Sequence, residues 1–519
     1  MFDLIIRGAE VYDGSGGDAR SVDVGVSQGA ITAVERLPAD ATSRTVVDGT
    51  GLALAPGFID IHAHSDYALI TDPLHLPKLS QGVTTDVFSN CGLGFAPLPP
   101  ERMEEQHAGI GALFGDRPLL SQWSGGTLAA YAEALEAARP AVNVALLAPH
   151  GAVRATVIGA DARPASSSEI AAMAAIVRQS CEEGAWGAST GIWYSPMSAA
   201  RDDELDAITR AARFISIHQR DYGPRLMAAT AETIALAERT GARVQLSHLQ
   251  TSGACNEGRG PEVVAMLDRS RRTGVDLAWD SYPYCAGSTL LSALLPEWAG
   301  SGGPSLVLDR LRDGDASARI VTELAHCGRD WSRHVMVGLT SSAMRRFDGL
   351  SFVDGAAACG STVEGFICSA LVAEELCACY IVHHMVEADL EAILTHPAQV
   401  IGSDGLHLAH RGHPRLWGAF VRVLGRYVRE RRVLSLPDAI RKMTSCSAER
   451  IGLRDRGLVL PGMAADLVLF DPEHVGDRAT YSESSLHAEG VRGVWVNGIR
   501  AINDGLPTGM RAGRVLRSC

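Results

Sequence analysis

Between residues 57 and 403, short apolar runs alternate with longer stretches of helical periodicity. The runs cover 57–64, 83–90, 142–149, 185–189, 213–218, 243–248, 275–280 and 398–403, and Ser167–Glu183 and Pro224–Thr240 are examples of the helical stretches between them. Short apolar strands separated by helices are the signature of parallel βα units. Eight of them predict an α/β fold with a closed (β/α)8 TIM-like barrel, whose chemistry would sit at the C-terminal strand ends. The rhythm breaks at 290–345, where Gly300-Ser-Gly-Gly-Pro304 and a charged helical stretch read as an insertion. Residues 361–396 read as helical again, and no repeat of 20–50 residues is evident.

The two ends follow a different pattern. Residues 1–55 hold strand-like segments at 4–6, 8–12, 22–26, 30–34 and 45–47, separated by turns such as Asp13-Gly14-Ser15-Gly16. Strands this short cannot hold a core alone. The C-terminal segments 465–471 and 491–498 offer partners. The expected arrangement is a small β-sandwich built from 1–56 plus 455–519, with 57–454 forming the barrel.

Composition narrows the class. A chain of 519 residues that is 46% hydrophobic and 21% charged can bury a large core. A net charge of −13, with no Lys/Arg cluster, argues against a nucleic-acid partner and means that an anionic substrate would need a local cation. The N-terminus lacks a basic leader, and no run of 18 uncharged apolar residues suggests a membrane span. Eleven irregularly spaced cysteines fit reduced thiols in the cytoplasm. Lysine occurs only at Lys78 and Lys442.

Chemistry gathers at the predicted strand ends. In Phe58-Ile-Asp-Ile-His-Ala-His64, alternation puts Asp60, His62 and His64 on one face and the apolar residues that suit a helix layer on the other. The second strand runs into Cys91, the fifth ends at His218, the sixth at His248, and the eighth runs into Asp404. An isolated strand histidine is ordinarily a hydrogen-bonded core residue, and a buried cysteine is ordinarily a small hydrophobe. Five nitrogen or sulfur ligands and one carboxylate at a common rim point instead to a metal, and Cys with His in a partly open site suits zinc.

The chain resembles the metal-dependent amidohydrolase superfamily and, within it, the N-acyl-D-amino-acid deacylase (D-aminoacylase) family. The matching segments span nearly the whole chain: Pro56–His64, Gln81–Thr85, Asn90-Cys91-Gly92, Gly187–Gly191, Ser247-His248, Tyr282–Thr289, Gly402–Gly405, His413-Pro-Arg415, Arg441–Ser445 and Gly462–Val468, with Tyr481 near Ala479-Thr480. The Asn-Cys-Gly turn and Tyr282-Pro-Tyr284 are the discriminating pieces. The resemblance implies a tight zinc held by Cys91, His218 and His248. It also implies a weaker second site using His62 and His64 with Cys91 shared, and Asp404 as general base and acid. Arg415 and Tyr282 would grip the α-carboxylate of a small-molecule substrate. Many superfamily members bridge two metals with a modified lysine at a strand end. Neither Lys78 nor Lys442 is placed for that role, so a cysteine-bridged or single-metal site is expected. His383, His384, His407, His410 and His413 read as loop residues more than ligands, though one could line the pocket.

The leading reading is therefore zinc-dependent hydrolysis of N-acyl-D-amino acids. Opening of a cyclic amide is the alternative within the superfamily, and the missing bridging lysine speaks against it. A non-enzymatic scaffold would be expected to have lost a ligand or the strand-eight aspartate, and all are present. Gln250 shares strand parity with His248 and is expected beside the metal mouth. Relatives that act on N-acyl-D-glutamate carry a lysine at this position and an arginine after the Tyr-Pro-Tyr segment. Here Gln250 is neutral, and 290–298 contain no arginine, so a neutral, apolar D-side chain is expected.

Overall fold

The computed structural model describes residues 1–115, 123–408 and 411–518. The eight apolar runs become strands β1 (Phe58–Asp60), β2 (Val83–Phe88), β3 (Asn143–Leu146), β4 (Ala188–Gly191), β5 (Phe214–His218), β6 (Arg243–Leu246), β7 (Leu277–Ser281) and β8 (Gln399–Ile401). All successive pairings are parallel. Two short continuations complete the ring. Ala148–Pro149 beyond β3 pairs with β4, and Gly405–Leu406 beyond β8 pairs with Ala63–His64 beyond β1. The result is a closed barrel of eight strands, whose C-terminal ends share one mouth.

The strands depart from their expected bounds by a few residues at one or both ends, and two show the local reason. The run 57–64 breaks after Asp60 because the Asp60 carboxylate accepts from the His62 backbone N–H at 3.2 Å, drawing that group out of the ladder. The run 185–189 starts only at Ala188 because Gly187, at φ +148°, turns the chain immediately before it. Outward residues Ile59, Ile61, Val87, Ala145 and Val400 pack with Ala448, Ile451 and Leu453 of the covering layer. On the opposite parity Phe58 stacks on Phe420 at 5.9 Å. Helix Ser167–Glu182 begins with a capping box between Ser166 and Glu169.

The chain ends share one nine-stranded sheet, in which Leu467–Phe470 pairs with Ala53–Pro56. The sheet forks at Phe2–Val11, which pairs with Ser43–Asp48 along its first part and with Ala53–Pro56 at its end. It wraps around a core that includes Leu4, Ile6, Val24, Leu54, Leu467 and Trp495.

Residues 361–396 are not continuously helical. Helix Val363–Ala373 leads into strand Cys379–His383, which lies between Ala286–Leu290 and His334–Val337 in an antiparallel sheet. Cys379-Tyr-Ile-Val-His383 contains β-branched and aromatic residues suited to a strand, and the run is too short to reveal its period. The excursion between β7 and β8 thus extends well past 345 and has its own core, including Leu291, Leu294, Leu324, Phe352 and Phe366.

Candidate metal centre and active site

His62, His64, Cys91, His218, His248 and Asp404 are buried at the barrel mouth. Cys91 Sγ lies 3.3 Å from His62 Nε2 and 3.5 Å from His248 Nε2, and His218 Nδ1 is 2.9 Å from His248 Nε2. Three ligand groups each fit within 4.8 Å: His62, His64 and Cys91; Cys91, His218 and His248; and His62, His248 and Asp404.

The backbone stores strain at this mouth. Cys91, His248 and Asp404 occupy positive φ, at 54°, 32° and 49°, a region that costs a side-chain-bearing residue about 1–3 kcal/mol. Hydrogen bonds hold each in place. Asn90 Nδ2 donates to the Ile61 and Val87 carbonyls, His248 N donates to Asp280 at 2.8 Å, and Asp404 N donates to the His62 carbonyl at 2.8 Å. Gly402 permits the close approach of β8, since a Cβ there would lie 2.6 Å from His62 Cβ.

The donor set fits a metal ion. His218 Nδ1 and His248 Nε2 face each other at 2.9 Å, and Cys91 Sγ faces His62 Nε2 and His248 Nε2. A cation would satisfy converging lone pairs that otherwise oppose one another. Burial alone would raise the Cys91 thiol, but His62 and His248 outweigh it and lower its pKa toward the thiolate a metal needs. Burial and neighbouring His248 hold His218 well below the usual imidazole range, in the neutral form that ligates.

Asp280 was not singled out in the sequence. Its Oδ1 lies 3.0 Å from His62 Nδ1 and accepts from His248 N, while Gln245 Nε2 donates to its other oxygen at 3.2 Å. A carboxylate behind a ligating histidine fixes the ring's orientation and raises its basicity. The available signal was a lone acidic residue in the apolar strand β7.

Asp404 sits 3.1 Å from His64 Nε2 and 2.9 Å from Arg415 Nη1. Burial opposes its ionisation, but Arg415 and the neighbouring histidines hold its carboxyl well below the usual range. Arg415 itself is fully buried, stacks over Tyr282 at 4.6 Å and donates from Nη2 to the Ser288 carbonyl. Its Nε has no hydrogen-bond partner, leaving donor capacity beside Tyr282.

Gln250 lines the mouth, with its Oε1 accepting from Tyr282 Oη at 2.9 Å. The parity argument for it does not hold, because β6 ends at Leu246 and His248 turns into positive φ. The mouth opens into a cavity of about 660 Å³, whose wall also includes Leu93, Trp193, Tyr194, Tyr222 and Leu406. Residues 290–298 supply no arginine to this wall, but Arg329 and Arg333 reach it from farther along the excursion. Arg333 pairs with Glu257 at 3.0 Å and Asp330 at 3.3 Å. Arg329 is exposed and forms no ion pair among the described residues.

Lys78 is buried and committed to other partners. It pairs with Asp60, lies 3.6 Å from Asp86, and donates to Ser403 Oγ at 2.7 Å. Lys442 donates to the His396 and Gln399 carbonyls. Of the loop histidines, His383 and His384 line the cavity, His407 stacks on His75, and His413 bonds the Ala286 carbonyl. His410 lies outside the described residues.

A mouth lined by converging His, Cys and Asp side chains on a closed βα barrel suits the class of metal-dependent barrel hydrolases, and comparison with known proteins makes the family specific. The model of the amidohydrolase family matches residues 45–501, so the chain belongs to that family. It is 37% identical to an N-acyl-D-glutamate deacylase of Alcaligenes xylosoxydans xylosoxydans, over 99% of this chain and 96% of that one. It is 35% identical to the same organism's D-aminoacylase, over 99% and 97% of the two chains. Among solved structures, it resembles N-acyl-D-glutamate deacylase from Bordetella bronchiseptica complexed with zinc and a phosphonate mimic of the tetrahedral intermediate. That match has a TM-score of 0.84 and 34% identity, and covers 100% of both chains. A D-aminoacylase structure described by its binuclear metal centre matches with a TM-score of 0.83 and 34% identity over 100% of both chains.

Proposed function

We propose that this protein is a zinc-dependent hydrolase that cleaves the amide bond of N-acyl-D-amino acids, releasing a carboxylate and a D-amino acid. The convergence of Cys91, His218 and His248 beside Asp404 carries the reading. Cys91, His218 and His248 would hold the tight zinc, and His62 and His64, with Cys91 shared, the weaker site. When bound, zinc lowers the pKa of a coordinated water and polarises a carbonyl.

The remaining work falls to the protein. Ionised Asp404 takes the proton of the attacking water and returns it to the departing nitrogen. Arg415 and the Tyr282 hydroxyl bind the α-carboxylate, for which a planar guanidinium is suited. Asp280 keeps His62 oriented. Gln250 and the apolar wall favour a neutral side chain. Arg329 favours a second reading, in which an acidic side chain is received at the rim.

Metal analysis beside assays on paired N-acetyl-D- and N-acetyl-L-leucine tests the function. About one tightly held zinc with selective turnover of the D-isomer is expected. Turnover of the L-isomer alone, or full activity after metal removal, overturns it.

A further inference from the structure

A second cavity of about 490 Å³ adjoins the metal-side cavity. The two share Leu93, Trp193, Tyr194 and Arg329 as walls. Its lining comes from the loops after β2 and β4, the chain after β3, and the excursion segment 290–307. Apolar side chains include Ile110, Ile192, Met197, Leu294 and Val307. Two of the bordering arginines are already committed. Arg102 pairs with Glu105 at 3.0 Å, and Arg220 with Glu232 at 2.8 Å. Tyr194 lines both cavities, and its hydroxyl lies 2.9 Å from Thr289 Oγ1.

The ring order gives this position a meaning. In a closed ring of eight strands, β3 and β4 stand opposite β7 and β8. Arg415 and Tyr282, the carboxylate grip, belong to the β7–β8 side. The second cavity is lined by the loops of the β2–β4 side together with the excursion segment 290–307, which reaches across from between β7 and β8. A secondary amide is trans, so the amino-acid Cα and the acyl chain leave the C–N bond in opposite directions. With the carboxylate held at Arg415 and the amide at the metal ligands, the acyl chain is directed toward the second cavity.

We propose that this second cavity is the acyl chamber, and that the preferred substrates carry a medium-length alkanoyl chain on the D-amino acid rather than an acetyl group. The inference rests on the deacylase reading above. Each additional methylene taken from water into such a wall favours binding, and contacts of this type discriminate by roughly 10- to 200-fold.

The test compares N-acetyl-, N-butanoyl- and N-octanoyl-D-leucine with the zinc-loaded full chain. In the wild type, kcat/KM is expected to rise at least about 10-fold from acetyl to octanoyl. Ala293→Trp and Ser292→Phe, on the chamber wall, should abolish that rise while leaving N-acetyl turnover within about threefold, the range of a change that spares the metal mouth. N-acetyl turnover also reports that each variant is folded. Cleavage of N-acetyl-D-leucine with no gain for the longer chains overturns the chamber alone. So does an equal loss on all three substrates in both variants. Failure to cleave any of the three overturns the deacylase reading itself.

Discussion

Arg415 Nη1 lies 2.9 Å from Asp404 Oδ2, so the cation expected to bind the substrate carboxylate also sets the charge of the group expected to move the proton. The two roles are coupled by contact. Arg415→Met should raise KM for free-carboxylate substrates more than for amide or ester analogues. Arg415 also lowers the pKa of Asp404, so removing it raises that pKa. The base works only when ionised, so the acidic limb of the kcat/KM profile should move to higher pH. An unmoved limb with equal losses on both substrate types would make Arg415 a purely structural residue.

Cys91→Ala should abolish both tight zinc binding and activity, because Cys91 belongs to two of the three ligand groups. Inductively coupled plasma measurement on the purified variant checks the first effect, and an assay with added zinc checks the second. A variant that retains one zinc and full rate would remove Cys91 from the centre.

Asp404→Asn should retain the tight zinc while kcat falls on the order of 10²- to 10⁴-fold, the range for a lost general acid–base group. Asp404 also joins a ligand group with His62 and His248, so the metal content distinguishes the roles. Loss of zinc in parallel with activity would make Asp404 an anchor and not a proton carrier.

Lys78→Met should destabilise the fold by about 3–5 kcal/mol, since it strands the buried carboxylate of Asp60 without its cation and leaves Asp86 with His75 as its remaining partner. Urea unfolding monitored by circular dichroism measures this. A loss below about 1 kcal/mol, the scale of an exposed ion pair, would show that the network carries little stability.

Side-chain choice turns on Gln250 and Arg329. N-acetyl-D-leucine should have a higher kcat/KM than N-acetyl-D-glutamate, because Gln250 is neutral and the buried cation beside it, Arg415, is expected to be taken up by the α-carboxylate. The opposite order, abolished by Arg329→Ala, would favour the acidic reading.

Local sequence was enough to reveal the ring of strands and the residues at its mouth. A strand's apolar run and the residue that ends it lie within a few positions of each other, and parallel strands align those ends. The turn Ser89-Asn90-Cys91-Gly92 and the pair His62 and His64 were legible on that basis. Tertiary structure alone decided which groups work on one another. Asp280 stands behind His62 across 218 residues, and Lys78 reaches Ser403 across 325. Arg329 comes to the cavity wall only because the excursion between β7 and β8 folds over the mouth. None of these contacts leaves a periodic trace, since each depends on how separate elements pack and not on the order of residues within one element.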